Sequence, residues 1–177
     1  MRTSLLVLVA AVLAGTIHLL YYLPRLPERV ATHFGLAGRA DGWSDVATFA
    51  TFATILLLAF ALFAPLINAL ISRLPPSLIN IPHREFWLAE ERREATLDRL
   101  RGAMEWFGVA SVLFAIAINH FTVTANLEAA TSGEEARLSS GFLWALGIYM
   151  AWTLAWVGRL LWSFRQPPDE NAAIGPA

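Results

Sequence analysis

The chain contains no cysteine and no lysine, and charged side chains occupy only 15% of its 177 positions. Without thiols there is no disulfide framework, no thiolate nucleophile and no thiolate metal site. All thirteen positive side chains are arginines, and where they gather they alternate with acids, which argues against a nucleic-acid surface. Also missing are a glycine loop that would cradle phosphate ahead of a helix and a His-Glu-x-x-His array. Ser139, Ser140 and Ser163 have no base fixed beside them in sequence, and Asp45, the natural mate for Asp41 in a carboxylate pair, already has a helix-start role. The sequence therefore predicts no enzyme, no catalytic residue, no cofactor and no resident metal.

What is plentiful is apolar surface: 56% of residues are hydrophobic and seven are tryptophan. Four stretches, at about 4–23, 46–71, 106–124 and 139–161, are each long enough at ~1.5 Å per residue to cross ~30 Å of hydrocarbon. The first, preceded by Arg2, also reads as a signal peptide, but its run continues through Ile17, Leu19, Leu20, Tyr21 and Tyr22 without a cleavage site. The predicted class is all-α: a four-helix transmembrane bundle with a structured outer loop and an interfacial cytoplasmic helix. Residues 1–164 form the membrane domain, and 165–177 are expected to be a disordered cytoplasmic tail.

Arginine bias sets the expected orientation. Nine arginines lie in the N-terminus, second loop and C-terminal tail, against four in the first and third loops. Both termini and the second loop are thus expected in the cytoplasm of a cell with this protein in its inner membrane. In the second span, Pro65 lacks an amide and crowds the carbonyl of Ala61, and Asn68 should seek a partner inside the bundle. Glu105, at the inner start of the third span, is expected to be solvated there and to pair with Arg101.

The first outer loop is the most specific segment. Pro24 and Pro27 stop the helix, and Gly35, Gly38 and the Asp41-Gly42 pair supply turns. Val30, Thr32 and Phe34 alternate with Ala31 and His33, enough for a short strand or hairpin but too short to assert one. Ser44 is a candidate cap for the next helix, with Asp45 in its first turn. Phe34, Leu36 and Trp43 are expected to anchor the loop on the bilayer surface.

Pro27, Val30, His33, Phe34, Gly38, Asp41, Gly42 and Trp43, taken in order, resemble the signature of DUF1648, a bacterial membrane domain of unknown function that also begins the Sdp-type toxin-immunity proteins. A second run is similar to the loop after helix two in shorter members: Asn80, Ile81, Pro82, His83, Arg84, Glu85, Phe86, Trp87, Leu88, then Arg92, Arg93 and Glu94. His83 and Phe86 stand there in place of asparagine and tyrosine. The likeness extends from residue 4 to about 124. It implies an integral membrane protein and, for the immunity relatives, protection from a toxin and tethering of a regulator.

The second loop carries a partial apolar stripe of Phe86, Trp87, Leu88, Leu97, Leu100 and Met104, which predicts an interfacial helix over about 84–102. His18, Asn119 and His120 lie at similar depth near the outer face and form a candidate polar cluster, with His33 and Asp41 above them. The third loop, 125–138, is expected only to connect its helices. Two function classes remain: an envelope component that binds a protein partner or peptide toxin, and a small-solute or ion carrier acting as a homo-oligomer.

Overall fold

The structure is a computed structural model, and residues 2–165 are described. Five α-helices and one β-hairpin follow in the order α1 (Thr3–Tyr22), β1 (Arg29–Phe34), β2 (Ala40–Asp45), α2 (Val46–Ile71), α3 (Arg84–Trp87), α4 (Arg93–Ser132) and α5 (Ser140–Trp162). Four of these, α1, α2, α4 and α5, are long and apolar enough to cross a membrane, so the chain is a multi-pass membrane protein. One end of the bundle carries the hairpin, and the other gathers most of the arginines. The expected disordered tail, apart from Arg165, lies outside the described residues.

Helix α4 is the hub, packing against α1, α2 and α5. Lipid is as apolar as leucine, so helices associate through close fit. Small residues provide that fit. A Cβ on Gly108 of α4 would lie 3.0 Å from the Ala64 Cβ of α2, and one on Gly15 of α1 would lie 3.0 Å from Leu57 and Ile116. Leu8, Ala11, Leu57, Val109 and Val112 fill the space between these contacts. Helix α2 continues through Pro65 to Ile71. By contrast α5 has no buried residue and lies on the bundle through aromatic contacts, Tyr149 stacking on Phe114 at 4.2 Å and meeting the Ser111 hydroxyl at 2.9 Å.

Gly108→Leu should lower the unfolding free energy in detergent by about 1–3 kcal/mol, because the added bulk forces α2 and α4 apart. The matched Gly147→Leu, at a position where an added Cβ meets nothing within 4 Å, should melt like wild type. Equal losses in thermal melts of the two variants would contradict the close-fit account.

The arginine-rich end departs from expectation. The helix anticipated over 84–102 is two pieces, four-residue α3 and the opening turns of α4, which then runs unbroken for 40 residues. At 1.5 Å per residue, α4 is ~60 Å long, about twice the hydrocarbon thickness. The span expected at 106–124 is thus the middle of a helix that projects from both ends of the bundle. Leu88, Leu97 and Leu100 of the apolar stripe are covered by protein, in a small core with Ile79 and Phe164. The Trp87 indole donates to the Phe164 carbonyl at 3.0 Å, fastening this cap to the end of α5.

Candidate functional site

The hairpin is the best-defined exposed feature. Strands β1 and β2 are antiparallel, pairing Arg29 with Asp45, Val30 with Ser44, Ala31 with Trp43, His33 with Gly42 and Phe34 with Ala40, with irregularities around His33. The steric logic of the motif follows from this register. Gly38 turns the chain at φ 74°, and Gly42 lies opposite His33 where an added Cβ would come within 2.9 Å of the His33 Cβ. Asp45, rather than Ser44, caps α2: its carboxylate accepts from the Thr48 amide at 2.7 Å and hydroxyl at 3.1 Å. Those bonds, the amide first, hold the Asp45 carboxyl below the usual carboxylate range.

Two supports fix the hairpin to the bundle. Val30 and Ala31 are fully buried, Val30 in a core with Leu19, Phe49, Ala53 and Val123. Asn126 of α4, 3% exposed, accepts from the Ala31 amide at 2.7 Å and donates to the Ala31 carbonyl at 3.0 Å. Asn126 is not among the residues that the sequence singles out; an asparagine two residues beyond the expected span is the signal available. The third loop does more than connect. The Ala40 amide donates to the Ala136 carbonyl at 3.0 Å, and the Leu138 amide donates to the Gly38 carbonyl at 2.9 Å.

Held in this way, the hairpin presents His33 and Asp41, whose side chains are exposed and hydrogen-bonded to each other through Nδ1 and Oδ1. Leu36 is fully exposed at the tip, Trp43 is half exposed beside the Arg29 guanidinium, and Phe34 lines an apolar groove with Leu138, Phe142 and Leu143. Pro27 lies in the linker that leads from a 3-10 turn at Leu23–Arg25 into β1.

Of the candidate polar cluster, the structure unites two members. His18 Nε2 and His120 Nδ1 are 3.2 Å apart, with the Tyr22 ring 4.7 Å from His18. One ring nitrogen must donate and the other accept, so at least one imidazole is neutral in this contact. Asn119 is turned about 100° from His120 on the helix and is buried. Among the described residues no three His, Asp or Glu side chains gather closely enough to hold a metal ion.

A second polar centre lies at the arginine-rich end. Glu105 is 3% exposed, accepting from the Ser4 hydroxyl at 2.5 Å, Arg2 at 3.1 Å and the Asn68 amide at 3.2 Å. Asn68 thus finds the interhelical partner expected of it, while Glu105 is buried rather than solvated. Arg101, its expected partner, pairs with Asp98 at 2.8 Å and Ser72 at 2.9 Å. Arg2 bridges the two groups by reaching Asp98 at 2.7 Å.

The residues of the second-loop motif mostly build the cap. His83 is the one non-glycine with positive φ among the described residues, at 49°, the backbone that asparagine tolerates well. Arg92 stacks on Phe86 and donates to its carbonyl at 3.0 Å, and Arg93 reaches the Leu74 carbonyl at 3.4 Å. Asn80 is exposed and Pro82 half-buried beside this turn.

Residues 10–59 match a family described as a domain of unknown function, DUF1648. The DUF1648 match takes in most of α1, the whole hairpin and the first half of α2, and it ends before the second-loop motif and α4. No curated protein and no solved structure matches the chain.

Proposed function

We propose that this chain is a non-enzymatic component of a bacterial inner membrane, with both termini in the cytoplasm, that binds a protein partner or peptide toxin through its hairpin. The observation that carries this reading is the exposed His33–Asp41 pair on a strand pair otherwise fixed by Asn126 and the third loop. Gly38 and Gly42 have steric reasons to be what they are, whereas nothing in the packing calls for an exposed histidine hydrogen-bonded to an aspartate. Rigid, polar and aromatic surface of this kind binds with little ordering cost. The arginine asymmetry supports the sidedness. Roles in immunity or signalling, as in the Sdp-type relatives that the motif resembles, fit such a surface.

In a deletion strain, His33→Ala should accumulate to wild-type level yet recover an envelope partner about tenfold less well, the loss expected of a contact residue at a binding centre. Survival of an envelope toxin should fall with it. Unchanged recovery and survival, together with solute uptake into vesicles that follows expression, would favour the other reading, a carrier built from several copies. One observation supports that alternative: Glu105 is buried within a spanning helix, next to an Asn68 Oδ1 that has no hydrogen-bond partner.

A further inference from the structure

At the arginine-rich end, a cleft of about 340 Å³ is lined by Arg99, Ala103 and Trp106 of α4, Trp156, Arg159 and Leu160 of α5, and Ser163 just beyond it. Among the described residues no carboxylate lines it. The ion pairs among the described residues at this end are made by Arg2 and Arg101 with Glu94, Asp98 and Glu105, leaving Arg99 and Arg159 without an acidic partner. The Arg99 guanidinium is stationed 4.9 Å from the ring of Phe164, a residue buried in the cap. Arg159 comes from the last turn of α5, three residues beyond Trp156.

We propose that this cleft binds the phosphate of an anionic phospholipid. Two guanidinium groups from different helices match a phosphate diester in charge and hydrogen-bonding shape. Below them Trp106, Trp156 and Ala103 offer aromatic and aliphatic walls for the glycerol and upper acyl chain, and tryptophan favours this depth of a bilayer. Trp106, Leu161 and Trp162 are exposed on the same end of the bundle, so the apolar wall continues into lipid-facing surface. That continuity selects a lipid over free phosphate, which would fill only the charged half. The site is independent of the hairpin and of the partner proposed for it.

The test is native mass spectrometry of the full chain released from mixed micelles holding equal dioleoylphosphatidylglycerol and dioleoylphosphatidylcholine. Wild type should retain one phosphatidylglycerol in preference to phosphatidylcholine. The Arg99→Gln/Arg159→Gln double variant should lose that preference by about tenfold, while Arg99→Lys/Arg159→Lys should keep part of it. Arg73→Gln, which removes a charge from the same end but outside the cleft, should behave as wild type, and matching thermal melts would exclude misfolding. Equal retention of both lipids by wild type would overturn the proposal, as would an undiminished preference in the glutamine variant. Displacement of the lipid by millimolar inorganic phosphate would also overturn it, marking a site for free anion.

Discussion

Replacing Asn126 with leucine will release the hairpin while leaving the helices assembled. Leucine keeps the same branched four-atom side-chain skeleton, so the main change is loss of the hydrogen bonds. Both Ala31 backbone groups that Asn126 serves are fully buried and would be left without a partner. Each orphaned group costs about 1–3 kcal/mol, which puts the local loss at about 2–6 kcal/mol. The loss falls on attachment of β1 to α4, and local opening follows it. Amide exchange across residues 29–45 in detergent should therefore accelerate by about a hundredfold for a loss near 3 kcal/mol. Exchange in α2 and the middle of α4 should change little. Asn119→Leu is the control, since Asn119 is buried on the same helix but does not bond to the hairpin. Equal acceleration by both variants would mean that general loosening of α4, and not the Asn126 clamp, governs the hairpin.

Glu105→Ala should be the most damaging change at the opposite end. It removes the acceptor shared by Arg2, which precedes α1, Ser4 of α1 and Asn68 of α2. Breaking one side of a buried charged pair costs about 3–5 kcal/mol, and the partial exposure of Arg2 places this case at about 2–4 kcal/mol. Much of that cost is the stranding of what remains, so replacing Asn68 together with Glu105 should recover the part that falls on Asn68, while Arg2 keeps its bond to Asp98. Glu105→Leu combined with Asn68→Leu is expected to melt closer to wild type than Glu105→Ala does, since well-packed apolar residues often replace buried polar pairs without loss. A double variant at least as unstable as the sum of its single changes would show that the two side chains do not act as a unit.

The helices were legible because twenty apolar residues in succession leave few alternatives in water or lipid. Their polar connections were legible only where one residue announced its need. Asn68 did so from an apolar run, and the shared depth of His18 and His120 placed them together. Glu105 was misjudged because closeness to a helix end implied water, whereas Arg2, Ser4 and Asn68 come from two other helices to cover it. The unbroken α4 was hidden for another reason: the change from charged to apolar composition near Glu105 reports a change of solvent, not a break in the backbone. Alternation and the Asp41-Gly42 pair hinted at the hairpin. Its register could not be read, because it is irregular at His33 and braced by backbone bonds from the third loop and by a residue 95 positions away. The glycines of the motif became intelligible once His33 was seen to lie against Gly42.

We propose that the membrane-held bundle presents its folded hairpin on the non-cytoplasmic face and its arginine-rich cap to the cytoplasm. Because the chain has no native cysteine, a single introduced thiol reports its own surroundings. Thr32→Cys, at an exposed position of β1, and Glu91→Cys, at an exposed position of the second loop, would be treated in intact cells with a membrane-impermeant maleimide. The account predicts labelling of the first at once and of the second only after permeabilisation. Labelling of Glu91→Cys but not Thr32→Cys in intact cells, or of both without permeabilisation, would contradict it.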